Sequence, residues 1–529
     1  MRTVAFVHDR PRAAAIAAMA AVLLLALLLR TADLLSLPIF TDEAIYLHWA
    51  RDIWALRTRE SLLIPIADDG KQPLFMWMAG GVMQLITDPL LAGRLVSALV
   101  GTITVIAVYL TGRQLAGTRT GLIAALAFAV APFTVLFDRL ALPDGPLSAM
   151  GAWTLCLGVF IATTADRRRA VLLGIALGVV LGAAAWTKLT FIFLLPFPLI
   201  CLVCLSPTLR LNKIRVPLMG LAAALLVGGA FVAILAMVPD AAKQLGKVGQ
   251  HSLSVDEFLA FPVKMWMENV ATYVSWIASY FPAPLSWFVL AGAVWGVARR
   301  PRVALLLLGC WAGITLPLIV SDRLFFTTRY FLPGMVPLVL VAALLVSEAW
   351  DGIGRIWPLR GPGRLSQRGM LRALLILAVM VPSLLFDARL IVDPASAAMA
   401  ETDRWQLVTS WPSGYGFPEA TRLVRERAAQ LGGEVIVISD HFHGLPYDGL
   451  SLYLEGVPGI HFYVDGHIPW GGKGIVEAWR PHHVPVLIMG ADGRDDLEAF
   501  ELQVPEARRI GLFQKPGGEF SFRVYEMEP

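Results

Sequence analysis

Eleven runs of apolar residues, each long enough to cross a bilayer, leave this chain little choice of fold. They fall near 13–36, 90–112, 120–137, 146–165, 170–187, 190–206, 216–238, 284–298, 303–320, 331–349 and 371–386. Hydrocarbon offers backbone amides no water, so a run of this length must satisfy them internally, as an α-helix. The expected architecture is a polytopic α-helical membrane protein. Charge usage agrees: 16% of the 529 residues are charged, against roughly 25% in soluble domains. A formal charge of +4 points to no nucleic-acid partner. Sixteen tryptophans suit interfacial belts.

Alternate loops sort by arginine. One set holds Arg2, Arg10 and Arg12, then Arg113 and Arg119, Arg167 to Arg169, then Arg210, Lys213 and Arg215. It continues with Arg299, Arg300 and Arg302, and ends with Arg355, Arg360, Arg364, Arg368 and Arg372. Under the positive-inside rule these six loops are cytoplasmic. The N-terminus is then inside and, with an odd number of spans, the C-terminus outside. Residues 13–29 resemble the apolar core of a signal peptide. However, Arg30-Thr31-Ala32-Asp33 is a poor cleavage site, so the reading is an uncleaved first span. All four cysteines lie in apolar runs; Cys201-x-x-Cys204 has metal-like spacing without partner ligands and reads as structural.

The outward loops are long. The first, about 37–89, contains 43–57, whose helical apolar spacing predicts an amphipathic surface helix, and 73–86, too short to span and read as a second interfacial helix. Another outer loop, about 239–283, holds His251, Asp256-Glu257 and Lys264. A third, short and charged, carries Asp322, Arg323, Arg329 and Tyr330. The sequence therefore divides into a membrane domain, 1–386, and an exported domain, 387–529. In the latter, strands are expected at 434–439, 459–464, 484–489 and 521–527, with helices at 417–431, 471–480 and 493–503. That alternation predicts a small α/β domain. It has no glycine-rich nucleotide fingerprint.

Chemistry concentrates on the outward face. Asp42-Glu43 follows the first span, and carboxylates beside lipid need a reason. They also suit the positive N-terminus of the surface helix, with Thr41 or Asp42 as its cap. Asp138-Arg139 and Asp144 form a second acidic site at the exit of the third span, although Pro143-Asp144-Gly145-Pro146 is also turn-forming. Lys71, Lys188, Arg323 and Arg329 lie on the side where topology does not favour positive charge, which points to an anionic ligand. His251 is a further candidate. The C-terminal histidines (His441, His443, His461, His467, His482 and His483) match no metal frame. Carboxylates and cations at a lipid border suit group transfer from a lipid-phosphate donor. One carboxylate would deprotonate an acceptor hydroxyl as it attacks an anomeric carbon, inverting its configuration. The leaving polyprenyl phosphate would be stabilised by cations.

Thr41-Asp42-Glu43-Ala-x-Tyr46, Gly70-Lys71-x-Pro73-Leu74-x-x-Trp77, Arg94-Leu95 and Ala141-Leu-Pro-Asp144-x-Pro-Leu147 occur in that order. With Thr187-Lys188 and Arg329-Tyr330-x-x-Pro333, they resemble the GT-C glycosyltransferases, specifically the protein O-mannosyltransferase and lipid A aminoarabinose transferase branch, over about residues 15–390. The resemblance implies Asp42 as catalytic base, Asp144 as its supporting acid and Lys71 at the donor phosphate. Glu43 is a further catalytic candidate, and its place in the first turn better suits capping or orienting the surface helix. It implies eleven or more spans, a polyprenyl-phosphate sugar donor, and a lipid, glycan or protein acceptor. No cofactor is required, and a divalent cation is not favoured. The setting it implies is a bacterial plasma membrane with an extracytoplasmic active site. The chain departs from the family at Gln72, commonly proline there, and at Gly70, a glutamate in aminoarabinose transferases. A transporter or flippase with a carboxylate proton relay is the competing reading. It fits less well because the acids sit at helix ends rather than mid-span.

Overall fold

The computed structural model describes residues 5–58, 60–206, 211–243, 252–281, 285–321, 328–356, 362–439, 444–463, 484–494 and 496–528. The chain divides into two compact units. One comprises Met1–Ala32, Leu63–Phe75 and Arg94–Ile391; the other comprises Asp33–Leu62, Met76–Gly93 and Val392–Pro529.

The first unit is helical and spans the membrane. Among the described residues, eight helices are long and apolar enough to cross a bilayer, or ten if each of two bent pairs forms one span. Eight of the eleven expected runs are these helices; the other three are broken or short. The run 120–137 splits into Thr118–Ala129 and Pro132–Asp138, bent by 58°, because Pro132 has no N–H to continue the ladder. The run 190–206 becomes a 3₁₀ turn, Leu189–Leu194, and a helix, Phe197–Leu205, interrupted around Pro196 and Pro198. Leu285–Arg299 has only 15 residues. The helix Val263–Tyr280 lies at 118° to it. That helix occupies what the sequence suggested was loop, and it buries Tyr273, Trp276 and Tyr280 at helical spacing.

Small residues bring helices Arg167–Ala185 and Leu211–Ala236 into backbone contact. A Cβ on Gly174 would lie 2.0 Å from the Gly220 carbonyl oxygen, and one on Gly178 would lie 2.8 Å from that of Ala224. In lipid, where apolar burial does not drive helices together, such close approach is a main source of association.

The second unit carries the sheet, ordered β2-β1-β3-β5-β4. The strands are β1 (Val435–Ser439), β2 (Ile460–Tyr463), β3 (Val486–Ala491), β4 (Arg508–Gln514) and β5 (Ser521–Met527). β1 pairs parallel with β2 and β3, while β5 runs antiparallel to β3 and β4. Four of these strands and helix Phe417–Leu431 fall where expected, and the expected helix 493–503 starts at Leu497. Residues 471–480 lie outside the described residues. β4 was not anticipated, because Arg508, Arg509 and Gly511 obscure its alternation, and it is an exposed edge with a register shift between Arg509 and Gly511. Ile436, Ile488, Leu497, Phe500 and Tyr525 form the core of one face.

Glu526 on β5 is buried and ion-paired to Arg427 (2.7 Å) and Arg508 (2.9 Å). Burial works to raise its pKa, but the hydrogen bonds and charges of the two arginines outweigh it and hold the carboxyl below its usual range. A depressed carboxylate stabilises the fold above its unfolded pKa, and that contribution is lost as pH falls through the folded value. Unfolding midpoints recorded from pH 7 to pH 3 should therefore fall less steeply below about pH 4.5 in Glu526→Gln than in wild type. In the membrane unit, Gly174→Leu should push two helices apart, cost about 1–3 kcal/mol and lower the thermal midpoint in detergent. An unchanged midpoint would show that the close approach is unimportant.

Candidate active site

Asp144 is the first residue of helix Asp144–Thr163, after Pro143 has ended the preceding turn. An acid there faces the positive end of the helix. Its side chain is 3% exposed, so it needs partners, and two arrive from distant segments. Lys188 follows the end of helix Arg167–Ala185 in an extended conformation and donates from Nζ to Asp144 Oδ1 at 2.6 Å. Arg329, in the 3₁₀ segment Thr328–Gly334, places Nε 3.7 Å from Asp144 Oδ2. Lys188 Nζ also lies 4.1 Å from the Tyr330 ring centroid, a cation–π distance. Two cations thus share one carboxylate, and cations gathered in this way suit an anion.

Asp138 and Arg139 do not pair with each other. Asp138 Oδ2 accepts from Arg30 Nε at 2.8 Å, both side chains being essentially fully buried. Arg30 Nη1 donates to the Ala129 carbonyl (2.8 Å) and Nη2 to Thr134 Oγ1 (3.2 Å), so this guanidinium fills the break in the helix pair. Arg139 Nη1 donates to the carbonyls of Leu29 and Ala32, capping the end of the first span. Sequence reading treated Arg30 only as part of a poor cleavage site. The available signal was an arginine at a span end facing an acid at another span end. Asp387 was also missed. It is buried in the last span, and neither carboxylate oxygen has a hydrogen-bond partner among the described residues.

Lys71 lies just beyond the short helix Ile64–Asp69. Gly70, at φ 69°, turns the chain there in a conformation that side chains resist. The Lys71 backbone N–H donates to the Pro65 carbonyl, and Nζ is partly exposed, 3.6 Å from Asp69 Oδ2.

In the second unit, Asp42 and Glu43 lie in the first turn of helix Thr41–Leu56 and have different surroundings. Glu43 is fully buried, and its Oε2 accepts from the Phe40 N–H at 2.9 Å, so it caps the helix. Asp42 is partly exposed. Tyr46 is buried with its ring centroid 6.0 Å from that of Trp49. The helix also buries Ala44, Leu47, His48, Ala50 and Ile53. It is embedded in protein over much of its surface, more so than the amphipathic spacing suggested.

Arg323 and His251 lie outside the described residues, as do His441, His443, His467, His482 and His483. His461, on β2, is exposed and 3.5 Å from Glu434. Among the described residues, no group of His, Cys, Asp and Glu is arranged to hold a metal ion.

Residues 70–234 match the family described as dolichyl-phosphate-mannose-protein mannosyltransferase. The chain is similar in fold to ArnT from Cupriavidus metallidurans in the apo state, with 14% identity, 97% of each chain covered and a TM-score of 0.61. It is also similar to that protein bound to undecaprenyl phosphate, with 16% identity, 98% of each chain covered and a TM-score of 0.56. A third likeness is to the oligosaccharyltransferase AglB from Archaeoglobus fulgidus, in complex with an inhibitory peptide and a dolichol-phosphate. There the identity is 12%, 96% of this chain and 74% of the other are covered, and the TM-score is 0.53. No curated protein matches the sequence. The resemblance read from the ordered motifs is borne out in fold: this is an integral membrane protein with a GT-C fold similar to that of these structures, and part of the chain matches the mannosyltransferase family. Family match and fold together support glycosyl transfer as the class of activity.

A double-mutant cycle checks the ion cluster. Asp144→Leu should lower stability by about 3 kcal/mol, by stranding buried cations, and Lys188→Met by less, because Arg329 remains beside Asp144. The double variant should lose less than the sum, by at least about 1 kcal/mol. Strictly additive losses in thermal unfolding would show that the pair is not coupled.

Proposed function

We propose that this protein is an inverting glycosyltransferase that moves a sugar from a polyprenyl-phosphate donor to an acceptor hydroxyl. The observation that carries the reading is the pairing of two cations, Lys188 and Arg329, with one buried carboxylate, Asp144. A leaving polyprenyl phosphate develops negative charge as its bond to the anomeric carbon breaks, and preformed cations stabilise that charge without reorganising. Asp144 holds the two cations in place. Lys71, partly exposed, is assigned to the same phosphate.

Asp42 is assigned as general base. It would take the proton from the acceptor hydroxyl while that oxygen forms a bond to the anomeric carbon, on the face opposite the departing phosphate. Its partial exposure suits contact with an acceptor, whereas Glu43 is committed to its cap. The donor is already activated, so no nucleotide enters the reaction. The similar ArnT structure is bound to undecaprenyl phosphate, which supports a donor of this class. The distribution of arginine loops supports a reaction on the extracytoplasmic face, with the N-terminus inside and residues 387–529 outside, and the setting assigned is a bacterial plasma membrane. The acceptor is a lipid, glycan or protein.

The test is transfer by the reconstituted protein from a panel of radiolabelled undecaprenyl-phosphate sugars to a cell-envelope extract. Wild type should move label from at least one donor. Asp42→Asn should transfer about 100- to 10,000-fold more slowly and bind unlabelled undecaprenyl phosphate as wild type does. Lys188→Met should weaken that binding. Failure of every donor would overturn the assignment.

A further inference from the structure

We infer that the C-terminal part of the second unit is a positioning device for Asp42, acting through Thr41 and His48; this rests on the assignment of Asp42 as general base. Two anchors hold helix Thr41–Leu56. At its first residue, both the N–H and Oγ1 of Thr41 donate to the Pro412 carbonyl, at 3.0 and 2.9 Å. Glycines allow this approach. A Cβ on Gly414 would lie 1.9 Å from the Ile39 carbonyl oxygen, and one on Gly444 would lie 2.3 Å from Thr41 Cγ2.

The second anchor is a polar knot of residues some 400 positions apart in sequence. His48 Nδ1 is 2.5 Å from Asp448 Oδ1, and Nε2 is 3.2 Å from Ser451 Oγ and 3.4 Å from Asp52 Oδ2. Asp448 also accepts from the Gly444 N–H. Arg51 donates to the Ser451 carbonyl at 2.6 Å.

Helix geometry makes the two anchors sufficient. His48 lies seven positions after Thr41, which is close to two turns, so both lie on one face and roughly 10 Å apart along the axis. Two fixed points on one face set the tilt of a helix, and the Arg51 bond to the Ser451 carbonyl restrains rotation about the line that joins them. Asp42, about 100° around the axis from Thr41, is then held at a defined angle.

The chemistry of the knot favours positioning over simple packing. His48, Asp448 and Ser451 are all buried, and apolar residues would fill that space without the desolvation cost of buried polar groups. What polar groups add is a single allowed register. A general base needs that, since a misplacement of about 1 Å can slow a reaction about 100-fold.

The test measures kcat and donor KM with the undecaprenyl-phosphate sugar that the panel identifies, using the full-length reconstituted protein. Thr41→Val keeps the side-chain shape and the backbone anchor but removes the hydroxyl, and should lower kcat about 5- to 10-fold with KM within twofold. Thr41→Ser should restore it. Asp448→Ala should lower kcat about 10- to 100-fold. In an Asp42→Asn background, read by single turnover, neither Thr41→Val nor Asp448→Ala should cause further loss, because the group they position is gone. Additive losses in that background, or wild-type kcat in both single variants, would overturn the positioning role while leaving the base assignment intact. Wild-type turnover by Asp42→Asn alone would overturn the base assignment and this inference with it. If Asp448→Ala does not fold, the Thr41→Val and Thr41→Ser pair decides the matter.

Discussion

A charge buried in a membrane domain must be matched where it stands, and in this protein that constraint organises the first unit. Arg30 lies at the end of the first span with no exposure to solvent. Its guanidinium reaches the Ala129 carbonyl left open by the helix break, the Thr134 hydroxyl and the Asp138 carboxylate. Each of these groups would be costly to bury alone. A Cβ on Gly101 would strike the Asp138 carboxylate, and one on Gly145 would lie 3.2 Å from Asp138 Oδ1. The ion pair is therefore packed on both sides. Asp144 begins its helix six positions after Asp138, so the position of the candidate site follows from this pairing.

The same rule shapes the site itself. One carboxylate does not require two cations for its own neutrality, yet Lys188 and Arg329 both face Asp144. Cations already held in place can stabilise negative charge without reorganising. Tyr330 covers the Lys188 ammonium with its ring and lowers the cost of holding it there.

Much of this was legible in the chain because hydropathy and charge are local properties. The β1, β2, β3 and β5 strands followed from residue type and alternation, and helix Phe417–Leu431 from its period and its closing Gly432. The candidate residues Asp144, Lys188, Arg329 and Tyr330 were all named from motifs. Their convergence was not legible, since Lys188 and Arg329 come from segments far apart in sequence. Asp138 and Arg139 are neighbours in sequence, but adjacency puts the two side chains in different directions, and each found its partner on the first span. Helix Tyr447–Leu454 escaped notice because Gly449 weakens its pattern. The reason for that glycine is tertiary: a Cβ there would lie 2.5 Å from Phe417 Cζ.

The amino-acid sequence by itself determined that the chain lies in a membrane as a helical bundle and carries a small α/β domain, and it named the acids and cations available for chemistry. Burial of apolar length and the alternation of side chains are decided within a few residues of chain. Only the tertiary structure decided which acid serves which purpose. Asp138 is a structural counter-ion, Asp144 gathers two cations, Glu43 caps a helix, and Asp42 keeps its partial exposure. An acid's role depends on which distant charge and how much solvent reach it, and those are properties of packing rather than of the local chain.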